Sequence, residues 1–202
     1  MGLPVMIMGE SGSGKSASLR AFAPDEVGII NVSGKPLPFR SELKTVDTDD
    51  YAKIKKILYK SKVNTLVIDD SQYLMANEFM RTASIKGYDK FTTMGFNFWD
   101  LVRFVINTLP KEKIVYFLHH VETTDSGDQR VKTVGKLLNE KITLEGMFTI
   151  VLKAVYHDGN YSFMTRTNGK DTAKSPMDMF FTEEIDNDLK MVTQTIREYY
   201  GI

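Results

Sequence analysis

Apolar runs of strand length alternate with amphipathic stretches along this chain, and that alternation predicts its elements. Leu3 to Met8 is a continuous apolar run that suits a buried parallel strand. Lys15 to Phe22 is predicted as the helix that follows, stopped by Pro24. Gly28 to Val32 reads as a second strand. Ser33 to Arg40, with Gly34, Pro36 and Pro38, reads as a loop at its C-terminal end. Thr48 and Asp49 are predicted to cap a helix running to Lys60, with Ile54, Ile57 and Leu58 on one face. Thr65 to Ile68 reads as a third strand ending in Asp69-Asp70. Ser71 to Lys86 reads as a helix that Gly87 ends. Tyr88 to Gly95 is polar and reads as a loop, and Asn97 to Leu109 as an apolar helix stopped by Pro110. Ile114 to Leu118 is a fourth strand, ending in His119-His120. Glu122 to Thr133 has no apolar periodicity and reads as a loop, followed by a helix over Val134 to Gly146. Phe148 to Tyr156 and Tyr161 to Thr167 form a predicted hairpin around Asp158-Gly159, a favoured turn pair. Asn168 to Pro176 is another polar loop, and Glu183 to Tyr200 reads as a closing helix.

This order of elements predicts an α/β fold with a mostly parallel sheet flanked by helices, then a C-terminal β-hairpin and a closing helix. The length of 202 residues suits one domain, residues 1–202. The 26 basic side chains are balanced by 26 acidic ones, so any nucleic-acid contact must be concentrated on a few loops. The chain has no cysteine, which excludes disulfides, zinc-thiolate sites and thiol catalysis and fits a cytoplasmic setting. No apolar run has membrane-spanning length, so no membrane association is expected. The N-terminus enters the first strand at once and leaves no room for a signal peptide.

The candidate chemistry begins with Gly9-Glu-Ser-Gly-Ser-Gly-Lys-Ser16, which fills every fixed position of the phosphate-loop pattern G-x-x-x-x-G-K-[ST]. Such a loop crowds backbone N–H groups around phosphate oxygens. Gly9, Glu10, Ser11, Gly12, Ser13, Gly14, Lys15, Ser16 and Ser18 form the expected nucleotide-binding set. Lys15 adds a cation at the β- and γ-phosphates, and the Ser16 hydroxyl is suited to Mg²⁺. Leu66-Val67-Ile68-Asp69 is an apolar strand ending in a carboxylate, and Asp69 is the expected second Mg²⁺ ligand. Asp70 beside it reads either as the base for the attacking water or as a helix cap. Glu42, in the loop after the second strand, is the other candidate base. His119 and His120 end the fourth strand, where an imidazole can sense a γ-phosphate. Neighbouring strand residues face opposite ways, so one of the two fits that role, and His119 is carried as the candidate.

Two polar regions follow the third and fourth strands. The first offers Arg81, Lys86 and Lys90 with Tyr88 and Phe91, a mixture suited to single-stranded nucleic acid. The second carries Arg130, Lys132 and Lys136 diluted by Glu122, Asp125 and Asp128. Spacing alone favours ordinary solvated charge for both. Arg166, Lys170 and Lys174 cluster near the C-terminal hairpin and read either as solvated surface or as cations that reach a neighbouring subunit's nucleotide.

Taken together, the chain resembles RecA-like ATPases with a P-loop NTPase core, and more closely the phage-encoded RecA-like single-strand annealing proteins of the Sak-four class. The matching pieces are the Gly9–Ser16 loop, Lys35-Pro-Leu-Pro-Phe-Arg40, Thr48-Asp-Asp-Tyr51, Thr65-Leu-Val-Ile-Asp-Asp-Ser-Gln-Tyr-Leu74, His119-His120 and Thr172-Ala-Lys-Ser-Pro176. The resemblance covers most of the chain. It implies an ATPase using ATP and Mg²⁺ that binds single-stranded DNA and promotes annealing or recombination, often beside a single-strand-binding protein. It turns the two polar regions into expected DNA contacts. It also implies a homo-oligomer, ring or filament, with the nucleotide at the interface and Arg166, Lys170 and Lys174 as trans-acting cations. A phage-encoded protein of this kind works in the bacterial host cytoplasm. One position departs from the family. RecA proper carries a catalytic Glu at the end of the strand after the phosphate-loop helix, where this chain reads Asn31-Val32-Ser33. That departure keeps a second expectation open, a nucleotide-gated loader or partner-binding module with little turnover. A small-molecule P-loop kinase is a third, although no Arg-rich lid is visible.

Overall fold

The computed structural model describes residues 1–202 as a mixed α/β fold. Its strands are β1 (Leu3–Gly9), β2 (Val27–Asn31), β3 (Thr45–Asp47), β4 (Thr65–Asp69), β5 (Ile114–Thr123), β6 (Gln129–Val131), β7 (Ile150–His157), β8 (Asn160–Met164) and β9 (Glu184–Asp186). Its α-helices are α1 (Tyr51–Lys60), α2 (Gln72–Arg81), α3 (Asp89–Thr108) and α4 (Leu189–Tyr200). The sheet runs β3-β2-β4-β5-β1-β7-β8-β9. It is parallel from β3 to β7 and antiparallel where β8 and β9 close the far edge. β6 folds back antiparallel on the outer end of β5. No helix is long and apolar enough to cross a membrane.

The central strands are apolar on both faces because both faces are covered. On one face Met6, Ile68, Phe117 and Val151 pack under α1, α2 and α3, where Ile54, Leu74, Phe98 and Val102 are buried. On the other, Ile7, Val67, Tyr116 and Leu152 pack against α4 and the short turn after β1, through Leu19, Val192 and Ile196. The mostly parallel sheet and flanking helices agree with the sequence expectation, as do the C-terminal hairpin and closing helix.

Several local expectations are corrected. The segment after the glycine-rich loop is a short 3₁₀ turn, Ser16–Ala21, rather than an α-helix. Asp50, not Thr48 or Asp49, caps α1 by accepting from Lys53 N at 2.8 Å. Helix α2 ends at Arg81, five residues short of Lys86. Residues 89–95 are the first two turns of α3 rather than loop, since Phe91 stacks on Phe79 and Met94 is buried. The 122–133 region holds the end of β5 and all of β6, a polar hairpin that leaves no apolar period to read. The helix expected over 134–146 is broken by left-handed Gly135 (φ +80°) and Thr143 (φ +60°) into two short turns. The closing helix starts only at Leu189, capped by Asp188, because Glu184–Asp186 pairs with β8 and sets Ile185 opposite Phe163.

Candidate functional site

Parallel strands deliver their C-terminal ends to one edge, where open α/β sheets bind ligands. β1 ends there in the Gly9–Ser16 loop, β4 in Asp69 and Asp70, and β2 in Asn31. β5 lies between β1 and β4, and its register sets His120 beside Gly9. The result is a cleft of about 300 Å³ lined by Lys15, Ser16, Asp69, Asp70 and His120, with Lys35, Tyr73 and Tyr161 at its walls.

The loop owes its shape to glycine. Gly12 (φ +81°) and Gly14 (φ +94°) sit in left-handed backbone, and a Cβ on Gly14 would come within 2.6 Å of the Tyr161 ring. Lys15 Nζ donates to the carbonyls of Gly9 (2.8 Å) and Glu10 (2.6 Å), which holds its ammonium at the loop mouth. Burial pulls the Lys15 pKa down to about 8, against the opposing charges of Asp70, Asp69 and Glu10. Ser16 Oγ donates to Asp69 Oδ1 at 2.8 Å, so the loop and the β4 carboxylate meet directly. Burial pushes Asp69 up to about 6; the Ser16 bond opposes this and the charge of Asp70 adds to it. Ser13 is buried, and its hydroxyl has no partner. Glu10 and Ser11 stand exposed on the rim. Ser18 is a correction: it is fully buried, and its hydroxyl donates to Lys15 O at 2.6 Å. It shapes the turn and presents nothing to a ligand.

Asp70 adopts left-handed backbone (φ +58°) and does not cap α2 with its side chain. Its Oδ1 accepts from His120 Nε2 at 3.2 Å, and Lys35 Nζ lies 3.8 Å from Oδ2. A carboxylate only accepts, so Nε2 of His120 carries the proton. Burial works against the Asp70 charge, but the His120 hydrogen bond, the neighbouring Ser33 hydroxyl and the nearby Lys35 ammonium outweigh it and hold the carboxyl below its usual range. A carboxylate so engaged is a weak base.

His119 is the second correction. It points under α3, fully buried, with its ring edge-on to Phe98 at 5.5 Å. Its Nε2 donates to Lys132 O at 2.8 Å, so in the neutral ring Nδ1 accepts from Ser71 Oγ at 2.9 Å. Both nitrogens are spent on the scaffold, and the imidazole facing the cleft is His120. Burial lowers the His119 pKa to about 4. The unfolded chain therefore binds a proton that the folded chain refuses, and the His119 contribution to stability is complete above pH 6.5 and lost as pH falls toward 4. Wild type is expected to lose about 2 kcal/mol more than His119→Gln between pH 7 and pH 5, read from urea unfolding at each pH. Asp69 titrates in the opposite sense in both proteins, so the difference isolates His119. Parallel pH profiles would contradict this reading.

Glu42 is exposed and is not among the residues lining the cleft, so the geometry does not bring this candidate base to the site. Of the basic residues expected to touch DNA, Arg81 is paired with Asp49 (2.6 Å) and Arg130 with Glu122 (2.8 Å). Lys86, Lys132 and Lys136 are exposed, and Lys90 sits over the rings of Phe79 and Phe91. Phe91 and Lys136, from the two separate regions, line one cleft. Arg166, Lys170 and Lys174 are exposed and pair with no carboxylate. Gln129 N donates to Lys170 O (2.8 Å) and Gln129 Nε2 to Glu10 (2.7 Å), which sets the Lys170 backbone beside its own chain's glycine-rich loop.

The sequence assigned no site role to Lys35, Tyr73, Gln129 or Tyr161 and marked Asn31 only by its lack of an acid. Asn31, at the end of β2, acts as a brace, donating to Lys35 O (2.7 Å) and accepting from Gly34 N (3.0 Å). That brace presents Lys35 to Asp70. The one signal for it was the Gly34-Lys35-Pro36 turn after a strand end. Tyr161 and Gln129 reach the site through long-range pairing and carried no local mark. Compared with protein-family models and with curated proteins, the chain matches none.

Proposed function

We propose that this protein is a RecA-like ATPase that binds ATP with Mg²⁺ in the cleft above β1 and β4. Its nucleotide state governs binding of single-stranded DNA, in the annealing or recombination of phage DNA. The observation that carries the reading is the Ser16–Asp69 contact at 2.8 Å, joining the hydroxyl of the glycine-rich loop to the carboxylate of the apolar strand.

The donor set fits Mg²⁺. Two neighbouring ligands of an octahedral Mg²⁺, at bonds of about 2.0–2.1 Å, lie roughly 2.9 Å apart, close to the spacing of these two oxygens. A hydroxyl and one carboxylate leave the remaining positions to phosphate and water, as Mg²⁺ sites of this type do. The loop fits a polyphosphate: left-handed glycines at 12 and 14, the Lys15 ammonium at its mouth and the unpartnered Ser13 hydroxyl. Tyr161, resting against Gly14, offers a ring beside the phosphates on which a base can stack.

Bound ATP and Mg²⁺ supply the transferable phosphoryl group and the charge that neutralises it. The chain's own groups do the rest. Lys15 exchanges carbonyl partners for phosphate oxygens. His120 donates its Nε2 proton to Asp70 and lines the cleft with its ring. Lys35 adds a second cation. Arg166, Lys170 and Lys174 are free to act across a ring or filament interface between copies of the chain. A single-strand-binding protein is the expected companion in annealing.

A second reading is favoured by one observation. The hydrogen bonds on Asp70 and the presence of Asn31 at the end of β2 leave no free carboxylate to activate water. A nucleotide-gated module with little turnover would have such a site. Steady-state ATP hydrolysis with Mg²⁺, with and without single-stranded DNA, separates the two. The ATPase reading expects multiple turnovers that rise with DNA. Tight ATP binding with no more than a single turnover would transfer the assignment to the gated module.

A further inference from the structure

We propose that the groove between α4 and the 178–186 segment, at the antiparallel edge of the sheet, is a docking site for a basic, extended segment of a partner protein. Large apolar side chains of that segment fill the groove, and its lysines and arginines meet the carboxylates on the rim. No residue of the groove lines the nucleotide cleft, so the proposal stands apart from the ATPase reading.

The groove consists of adjoining hollows of about 330 and 570 Å³ that share Phe180, Ile185 and Thr195. Met191 walls the first, and Phe181 and Tyr199 wall the second. Local geometry leaves these walls in water. Asp178 adopts left-handed backbone (φ +62°), which a non-glycine residue holds at a cost. The turn that follows buries Met179 and Phe180 and leaves Phe181 97 % exposed, more than any other large apolar side chain of the protein. On α4, Val192 and Ile196 are buried against the sheet, while Met191 and Tyr199 remain exposed. Adjoining apolar side chains in water, rimmed by polar ones, mark an interaction surface.

Charge narrows the occupant. Residues 176–188 carry five carboxylates and no lysine or arginine. Asp178, Asp186 and Glu198 line the groove, and none of them pairs with a cation. Asp188, also on the wall, is spent on capping α4. Lys190, at the start of α4, is held by Glu26 at 2.7 Å, and Arg166 reaches the Phe180 carbonyl at 3.4 Å without meeting a rim carboxylate. Such a rim repels nucleic acid and anionic lipid. A second copy paired at this edge would set Glu184 and Asp186 against the same carboxylates of its partner, and like charges facing across strands oppose pairing. A basic segment meets neither obstacle.

The sheet edge sets the conformation of the occupant. β9 is the last strand and has no neighbour on its outer side. An extended segment laid along it continues the sheet and gains main-chain hydrogen bonds. Every second side chain then turns to the α4 face, as Ile185 does, and enters the groove. The sequence that fits alternates basic and large apolar residues.

Fluorescence anisotropy with the labelled peptide Lys-Leu-Lys-Phe-Lys-Leu-Lys tests this. One control peptide carries serine at each apolar position, and another carries glutamate in place of each lysine. Wild type is expected to bind the basic apolar peptide at least about tenfold more tightly than either control. Phe181→Ala and Tyr199→Ala, both at exposed positions, should each weaken that binding about tenfold. Asp178→Asn combined with Asp186→Asn should weaken it about fivefold and flatten its dependence on salt. Equal binding of the three peptides, no binding of any, or an affinity unmoved by Phe181→Ala and Tyr199→Ala would overturn the proposal. So would sedimentation in which Phe181→Ala turns an oligomer into a monomer, since the groove would then belong to a second copy.

Discussion

Asp69→Asn is expected to make the folded protein more stable and, on the proposed function, to remove Mg²⁺-dependent ATP turnover. The carboxyl lies buried at the end of β4, and its pKa in the fold is about 6 against an ordinary value of 3.8. A group whose pKa rises on folding favours the fold when protonated, and that favour is lost as pH rises through the folded value. At pH 8 the ionised Asp69 therefore costs the fold on the order of 2–3 kcal/mol. Asparagine keeps an oxygen to accept from Ser16 Oγ and from Asp70 N and carries no charge to desolvate. The gain should be full above pH 6 and gone by pH 4, read as the shift of the urea midpoint against wild type. Mg²⁺-dependent turnover should fall at least about a hundredfold, since the amide cannot replace an anionic metal ligand. A variant less stable than wild type at pH 8 would show that the charge is compensated in a way the geometry does not reveal. Stability surrendered to a binding group is the usual economy of functional sites.

The second large effect is that of Lys15→Ala. Loss of the one ammonium at the loop mouth should cut turnover at least about a hundredfold, the range found when a single transition-state donor is removed. Stability should hardly change, because the cost of burying the ammonium, which pulls its pKa down to about 8, offsets the loss of its bonds to the Gly9 and Glu10 carbonyls. The same pKa sets a pH signature. Lys15 must be charged to meet phosphate, so the ATP affinity of wild type should weaken as pH rises from 7 to 9, half of the free protein being neutral at Lys15 near pH 8. Residual binding by the variant should lack that slope. A variant that turns over at the wild-type rate would remove Lys15 from the chemistry.

The parts of the fold readable in the sequence were those with local causes. The Gly9–Ser16 pattern and the apolar run into Asp69 needed only neighbours in sequence, and both stand at the sheet edge where the reading put them. The first turns of α3 were unreadable because Phe91 and Met94 find their apolar partners only in the folded chain. The choice between His119 and His120 was hidden for a different reason. Both faces of β5 are apolar, Val115 and Phe117 on one and Tyr116 and Leu118 on the other, so alternation gave no sign of which imidazole faces the cleft. Ser18 carried no mark of its inward turn, which depends on the tight 3₁₀ geometry after Lys15. Gln129 and Tyr161 entered the site by pairing across the sheet and its loops, which a single sequence does not encode locally, whereas Lys35 is set by the local Asn31 brace.

Calorimetric titration of ATP into the wild-type protein and into Lys15→Ala, each with and without Mg²⁺, tests the central claim most directly. The account predicts saturable binding of one nucleotide per chain that tightens with Mg²⁺ and is strongly weakened in the variant. Binding that ignores both Mg²⁺ and Lys15, or no binding by wild type, would contradict the assignment of the Gly9–Ser16 loop and Asp69 to a nucleotide.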